Sequence, residues 1–252
     1  MDDSAIKNKS LGKALSVLNC FIDRQPLGVT EISEYLGLYK SNVHDIISTF
    51  VAMGYLEQDP QSGKYLLGIN SIRLGRSAGS GNSFYRIASG HLREIAEVVH
   101  QTCYLTAPHG YSVCYIDVVN PNNRSAFIPV IANTRPDTMN STGSGKCMLA
   151  NMSEEFIENY FDYGMPKLTE YTITDPDEMR QELERIRLRG YAIDNMENTP
   201  GVRCVAVPLI SSSGSVLGAM SVSGPVVQMN DERIEKYAGI LSRHAAEIRA
   251  IF

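Results

Sequence analysis

The chain has 252 residues, 43% of them hydrophobic and 20% charged, which excludes a disordered, collagenous or heptad-rod protein. At ~150 residues per domain this length points to two domains. Acidic residues outnumber basic ones 28 to 23, so no bulk positive charge is available to hold nucleic acid non-specifically.

In chain order, residues 11–75 read as a compact helical unit that ends in a hairpin. The first helix is expected over residues 11–24, with Leu11, Leu15, Leu18 and Ile22 on one apolar stripe at helical spacing. Pro26 and Gly28 stop it. Thr30 is placed as the N-cap of a short second helix ended by Gly37; Ser33 stands where a capping box would want a glutamate. The third helix covers residues 40–53 with Val43, Ile46, Ile47 and Phe50 facing inward, and Gly54 closes it. Residues 55–68 then form two short strands around a Pro/Gly turn. Three helices with a tight glycine turn before the last, followed by a β-hairpin, make a winged helix-turn-helix plan. Its third helix stands proud and can enter the ~12 Å major groove of DNA.

Residues 76–83 are rich in Gly and Ser and read as a hinge or a weak helix. A long helix is expected over 84–100. Strands follow near 102–107, 112–119 and 125–132, then helices near 145–150, 154–161 and 175–189. Two further strands, 202–210 and 216–223, flank a turn at 211–214, and a last helix covers 231–251. This order suggests an antiparallel sheet covered by helices, an α+β sensor-like domain. The expected division is a DNA-binding domain at 1–75, a linker and connecting helix at 76–100, and a ligand-binding domain at 101–252. Residues 1–76 hold eight basic and eight acidic side chains, so the net charge of −5 resides wholly in the remainder. Specific DNA contact must then come from a few placed groups and from dimerisation.

Several segments together resemble the IclR family of bacterial transcriptional regulators. In the first domain these are Lys13-Ala14-Leu15-Ser16-Val17-Leu18, Lys40-Ser41-Asn42-Val43-His44 and Gly54-Tyr55-Leu56. In the second they are the run Thr142-Gly143-Ser144-Gly145-Lys146-Cys147, the stretch Gly190-Tyr191-Ala192-Ile193-Asp194-Asn195-Met196-Glu197, then Pro200-Gly201-Val202-Arg203-Cys204 and Ser221-Val222-Ser223-Gly224-Pro225. Each is a weak pattern alone; in this order and spacing they are specific. The resemblance implies a winged helix-turn-helix domain joined by a helix to a GAF-like α/β effector-binding domain. It also implies homodimers, often paired into tetramers, on palindromic double-stranded operators. One departure stands out: the family usually has an arginine directly after the recognition-helix histidine, and here Asp45 occupies that position.

Lys40, Ser41, Asn42 and His44 begin the third helix. Asn suits adenine, Lys suits guanine or phosphate, and Ser suits either; the bland alternative is that Ser41 and Asn42 cap the helix and His44 is solvated. Lys64 at the hairpin is a candidate phosphate contact or a plain surface lysine. Gly143-Ser144-Gly145-Lys146 is not a Walker A loop, because Asn140 and Cys147 stand where glycine and Ser/Thr are required. It reads either as a tight turn or as a helix entry whose free N–H groups favour a carboxylate. Asp194 and Glu197 read alone as a solvated loop, and Cys204 as a buried small hydrophobe. Ser221 and Ser223 lie two apart, hence on one strand face, where hydroxyls suggest a polar occupant. The resemblance places effector contacts at Gly143, Ser144, Asp194, Cys204, Ser221 and Ser223, a set suited to a small carboxylate.

Other functions find little support. No run of about 18 apolar residues is present, and residues 1–10 lack the apolar core of a secretory signal, so a cytoplasmic protein without a membrane partner is expected. Five scattered cysteines without a Cys-x-x-Cys pair argue against a zinc ribbon, a thioredoxin motif and a disulfide framework. No histidine stands near Cys204 in a nucleophile motif, and no glycosidase pair, zincin helix or dinucleotide fingerprint is present. Neither catalysis, a metal nor a cofactor is expected. The expectation is a DNA-binding regulator, a repressor by preference, controlled by a small organic acid. The rival is a ligand-binding or interaction module that has lost DNA binding, with Asp45 and the neutral first domain in its favour.

Overall fold

A computed structural model describes residues 6–81, 83–120 and 137–252, and the chain divides into two compact units, one running up to Ser83 and one from Phe84 on. In the first unit, α1 (Lys9–Asp23) starts where the Asn8 side chain accepts the Leu11 N–H at 3.0 Å. Its inward residues are Val17 and Phe21, packed with Ile32, Val43, Ile47 and Leu56. This corrects the expected stripe: Leu11, Leu15 and Ile22 are exposed and only Leu18 touches the core. The apolar arc of α1 is wider than the face two short helices can cover, so periodicity alone chose the wrong edge.

The second helix, α2 (Val29–Leu36), starts at Gly28 rather than Thr30. Glycine offers no capping side chain; the Gly28 N–H instead donates to the Glu31 carboxylate at 2.7 Å, half of a capping box. Gly37 closes the helix at φ +65°, a left-handed conformation that favours glycine. Then α3 (Lys40–Ala52) buries Val43 and Ile47, with Ile46 and Phe50 partly covered. Strands β1 (Leu56–Gln58) and β2 (Tyr65–Leu67) pair antiparallel, Leu56 opposite Leu67. The Gly/Ser-rich stretch lies at the end of a helix, α4 (Ile69–Gly81).

The second unit opens with α5 (Ser83–Val99), followed by β3 (Thr102–His109) and β4 (Ser112–Val119). The strand expected at 125–132 lies outside the described residues. A two-residue strand that the sequence did not announce, β5 (Asp137–Thr138), leads to α6 (Gly143–Leu149), α7 (Glu154–Tyr163) and α8 (Pro176–Arg189). Next comes β6 (Ala192–Asn195), a strand where the residue pattern alone reads as loop, then β7 (Val202–Ile210), β8 (Val216–Pro225) and α9 (Asp231–Arg249). The strands form one sheet in the order β5-β4-β3-β8-β7-β6, with antiparallel neighbours throughout.

Strand alternation sorts the side chains into two cores. Cys103, Leu105, Val205, Val207, Leu209, Met220 and Val222 meet α5 and α9 on one face. On the other, Ala206 and Ala219 meet α6, α7 and α8. The second face is lined by small residues, so α6 comes close: a Cβ on Gly143 would lie 3.4 Å from the Ala206 Cβ of β7. The helix-covered antiparallel sheet agrees with the α+β expectation. Among the described residues no helix is long and apolar enough to cross a membrane.

Candidate nucleic-acid interface and effector pocket

Four of the five predicted DNA contacts share the first turn and a half of α3. Lys40, Ser41, Asn42 and His44 are all exposed, on the side away from Val43 and Ile47. Asp45 is 84% exposed among them, its carboxylate 3.8 Å from His44 Nδ1. At such exposure this contact contributes little, and the carboxylate faces outward toward whatever approaches the helix. Tyr39, which the residue pattern did not single out, is the residue before α3 and is 82% exposed. Lys64 leads into β2, and its Nζ donates to Glu31 Oε1 at 2.9 Å. A phosphate would have to compete with this half-exposed pair. A wide hollow of about 570 Å³ beside α1 also lies in this unit, lined by Lys9, Lys13, Leu36 and Leu38; it lacks the buried polar groups that fix a ligand's orientation.

The six predicted effector residues converge in the second unit. Antiparallel register sets Asp194 opposite Cys204, Cys204 opposite Ser223, and Ala206 opposite Ser221. Ser144 approaches the same face from the first turn of α6, where Thr142 Oγ1 accepts the Gly145 N–H at 2.9 Å. Ser144, Asp194, Cys204, Ser221 and Ser223 line one cavity of about 70 Å³. Gly143 supports it from behind: a Cβ there would stand 3.4 Å from Cys204 Sγ. Tyr104, Tyr115 and Thr142 complete the walls, and Asn198 and Thr199 cover it from the β6–β7 loop. Thr142 opens the glycine-rich run that carries the resemblance; the other four were not singled out from sequence. The strand alternation of Tyr104 and Tyr115 was a usable signal; the loop residues offered none.

Electrostatically the pocket holds one unusual group. Asp194 is almost fully buried, and its carboxylate accepts the N–H of Glu197 at 2.7 Å and of Asn198 at 3.4 Å. Burial, and next the charge of Glu197, push it up to about 7 against the opposing pull of Lys146. Burial, and next the charge of Asp194, push the Cys204 thiol up to about 12, so it stays protonated. Tyr115 donates its hydroxyl proton to Asp137, and burial together with that carboxylate's charge holds it well above its ordinary value.

Lys146 is the largest surprise. It is 1% exposed, with Nζ 2.5 Å from Glu197 Oε1 and 4.0 Å from Glu182 Oε1; Glu182 in turn binds Arg185 and Arg189. A buried charge persists only when paired in this way. The pair ties α6 to the β6–β7 loop, which Thr172 holds further by donating to the Glu197 carbonyl at 2.6 Å. Asp194 and Glu197 are therefore buried structural groups, not the solvated loop that their sequence alone allowed.

Comparison with known proteins agrees with this geometry. Residues 10–60 match the family model for the IclR helix-turn-helix domain, and residues 80–250 match the one for the bacterial transcriptional regulator IclR C-terminal domain. The chain is 30% identical to the HTH-type transcriptional regulator BhcR of Paracoccus denitrificans over 95% of its own length and 86% of that protein's. It superposes on the crystal structure of an IclR transcriptional regulator from Alicyclobacillus acidocaldarius with a TM-score of 0.88 and 27% identity, covering 97% of this chain and 99% of that one. An IclR homolog from Microbacterium hydrocarbonoxydans, solved with 4-hydroxybenzoate, shares the fold at a TM-score of 0.80 and 24% identity, covering 96% and 98% of the two chains. With an exposed recognition helix in one unit and a polar buried cavity in the other, this chain belongs to the IclR family of bacterial transcriptional regulators, DNA-binding proteins with a C-terminal effector domain.

Proposed function

We propose that the chain is a cytoplasmic repressor, without catalytic activity, whose operator affinity is set by a small carboxylate bound among Gly143, Ser144, Asp194, Cys204, Ser221 and Ser223. Residues 1–75 bind DNA through Lys40, Ser41, Asn42, His44 and, once released from Glu31, Lys64. Residues 76–100 connect them to the effector domain at 101–252. Dimers, alone or in pairs, sit on a palindromic site whose half-sites are about one helical turn apart. Repression needs only occupancy of the operator.

The observation that carries this reading is the convergence of Ser144, Ser221, Ser223 and Asp194 on one cavity of about 70 Å³. Far below the roughly 300–1,000 Å³ of drug-sized ligand sites, such a space suits a compact oxo- or hydroxy-acid. The serine hydroxyls and the Gly143 and Ser144 N–H groups at the start of α6 donate to its carboxylate. Asp194, partly protonated near neutral pH, repels that carboxylate less than an ordinary aspartate would. A Cys204 thiol pushed up to about 12, with no histidine among the residues lining the cavity, supports a receptor over an enzyme. The 4-hydroxybenzoate held by the Microbacterium relative supports the chemical class, a carboxylate, and not the identity.

The test is a melting-temperature screen against small oxo- and hydroxy-acids, followed by gel shift on DNA upstream of the chain's own gene. The parent protein gains thermal stability with one acid and releases DNA. Ser221→Ala with Ser223→Ala loses the thermal shift and keeps DNA binding. Full ligand shift in the double mutant refutes the pocket; unretarded DNA at low salt, with and without ligand, refutes the regulator.

A further inference from the structure

On the sheet face opposite the effector pocket, α5 and α9 pack together and bring two histidines into register. His91 Nδ1 and His244 Nδ1 are 2.8 Å apart. Glu247 Oε2 lies 3.7 Å from the first and 3.9 Å from the second, and Glu94 Oε2 lies 3.9 Å from His244 Nδ1. We propose that His91, His244 and Glu247 form a binding site for a Zn²⁺-type divalent cation that staples α5 to α9.

The three distances define a triangle whose centre is about 2.1 Å from each donor atom, the length of Zn–N and Zn–O bonds. Imidazole nitrogens with a carboxylate suit Zn²⁺, Co²⁺ and Ni²⁺ and not Mg²⁺ or Ca²⁺, which prefer all-oxygen shells. The histidines are mostly buried while Glu94 and Glu247 are more than half exposed, so the cation has an open route in and room for a water ligand. One neutral histidine donating to the other would account for the 2.8 Å contact alone. It does not by itself call for the Glu247 oxygen that closes a triangle with both Nδ1 atoms.

The experiment uses full-length protein without a histidine tag, stripped with a chelator under reducing conditions and titrated with Co²⁺, then Zn²⁺. The expected result is one Co²⁺ per chain, with visible ligand-field bands of a low-coordinate N/O site that Zn²⁺ displaces. Zn²⁺ raises the melting temperature of the parent. His91→Gln and Glu247→Gln, checked for native far-ultraviolet circular dichroism, each weaken Zn²⁺ binding at least about tenfold. No uptake by the parent overturns the proposal. So does equal affinity in both variants, or a thiolate charge-transfer band assigning the metal to cysteine. Glu247 is half exposed, so its variant keeps the test decisive if His91→Gln fails to fold.

Discussion

Asp194 is a carboxyl group whose surroundings oppose its ionisation. Its folded-state value of about 7 stands above the ordinary 3.8, so between these limits the folded chain holds a proton that the unfolded chain releases. Its contribution to stability is therefore full below about pH 4 and is lost as pH rises through 7. In the variant Asp194→Asn the side chain would be neutral throughout, and its carbonyl oxygen would still accept the Glu197 and Asn198 N–H bonds. Relative to the parent, Asp194→Asn gains melting temperature between pH 5 and pH 8, read by thermal denaturation at both; an unchanged difference places the titration elsewhere. Binding of an anionic effector follows the same sign, tightening as pH falls from 8 to 6, because the protonated carboxyl no longer repels it.

At the scale of elements, the proposed function assigns the DNA chemistry to α3, and one of its exposed residues works against that role. Asp45 directs a carboxylate to where phosphates would approach, although it can accept from a cytosine amino group. Replacing it separates these roles. Asp45→Arg is expected to raise affinity for any duplex and steepen the slope of log K against log salt by about 0.9 per added phosphate contact. Lys40→Ala is expected to weaken operator binding and flatten the slope by a similar amount. Fluorescence anisotropy over a salt series checks both. A cytosine-reading Asp45 shows itself if Asp45→Arg gains non-specific affinity yet loses preference for the operator.

For the whole molecule, a neutral first unit and an acidic second one leave little non-specific attraction to DNA, so regulation must act on the specific complex. Linkage then makes a quantitative demand. If the effector lowers operator affinity by some factor, commonly about 5- to 150-fold, operator DNA lowers effector affinity by that same factor. Titrating effector calorimetrically with and without operator, and operator with and without effector, must give equal ratios. Unequal ratios would mean that the acid acts through assembly or a second site.

Local patterning determined much of this protein. Helical spacing, the glycine at residue 37 and the Pro/Gly hairpin turn are effects of neighbouring residues, and they placed α2, α3 and the β1–β2 wing from sequence to within a few residues. The same patterning put Ser221 and Ser223 on one strand face. Tertiary structure alone decided which edge of α1 is buried, since that depends on what packs against it. It also decided that Lys146, in a glycine-rich run that reads as a tight turn or a helix entry, is enclosed with Glu197 from 51 residues away. His91 and His244 meet across 153 residues for a similar reason. Such pairs carry no local periodicity: each partner becomes informative only when sheet register and helix docking bring it to the other.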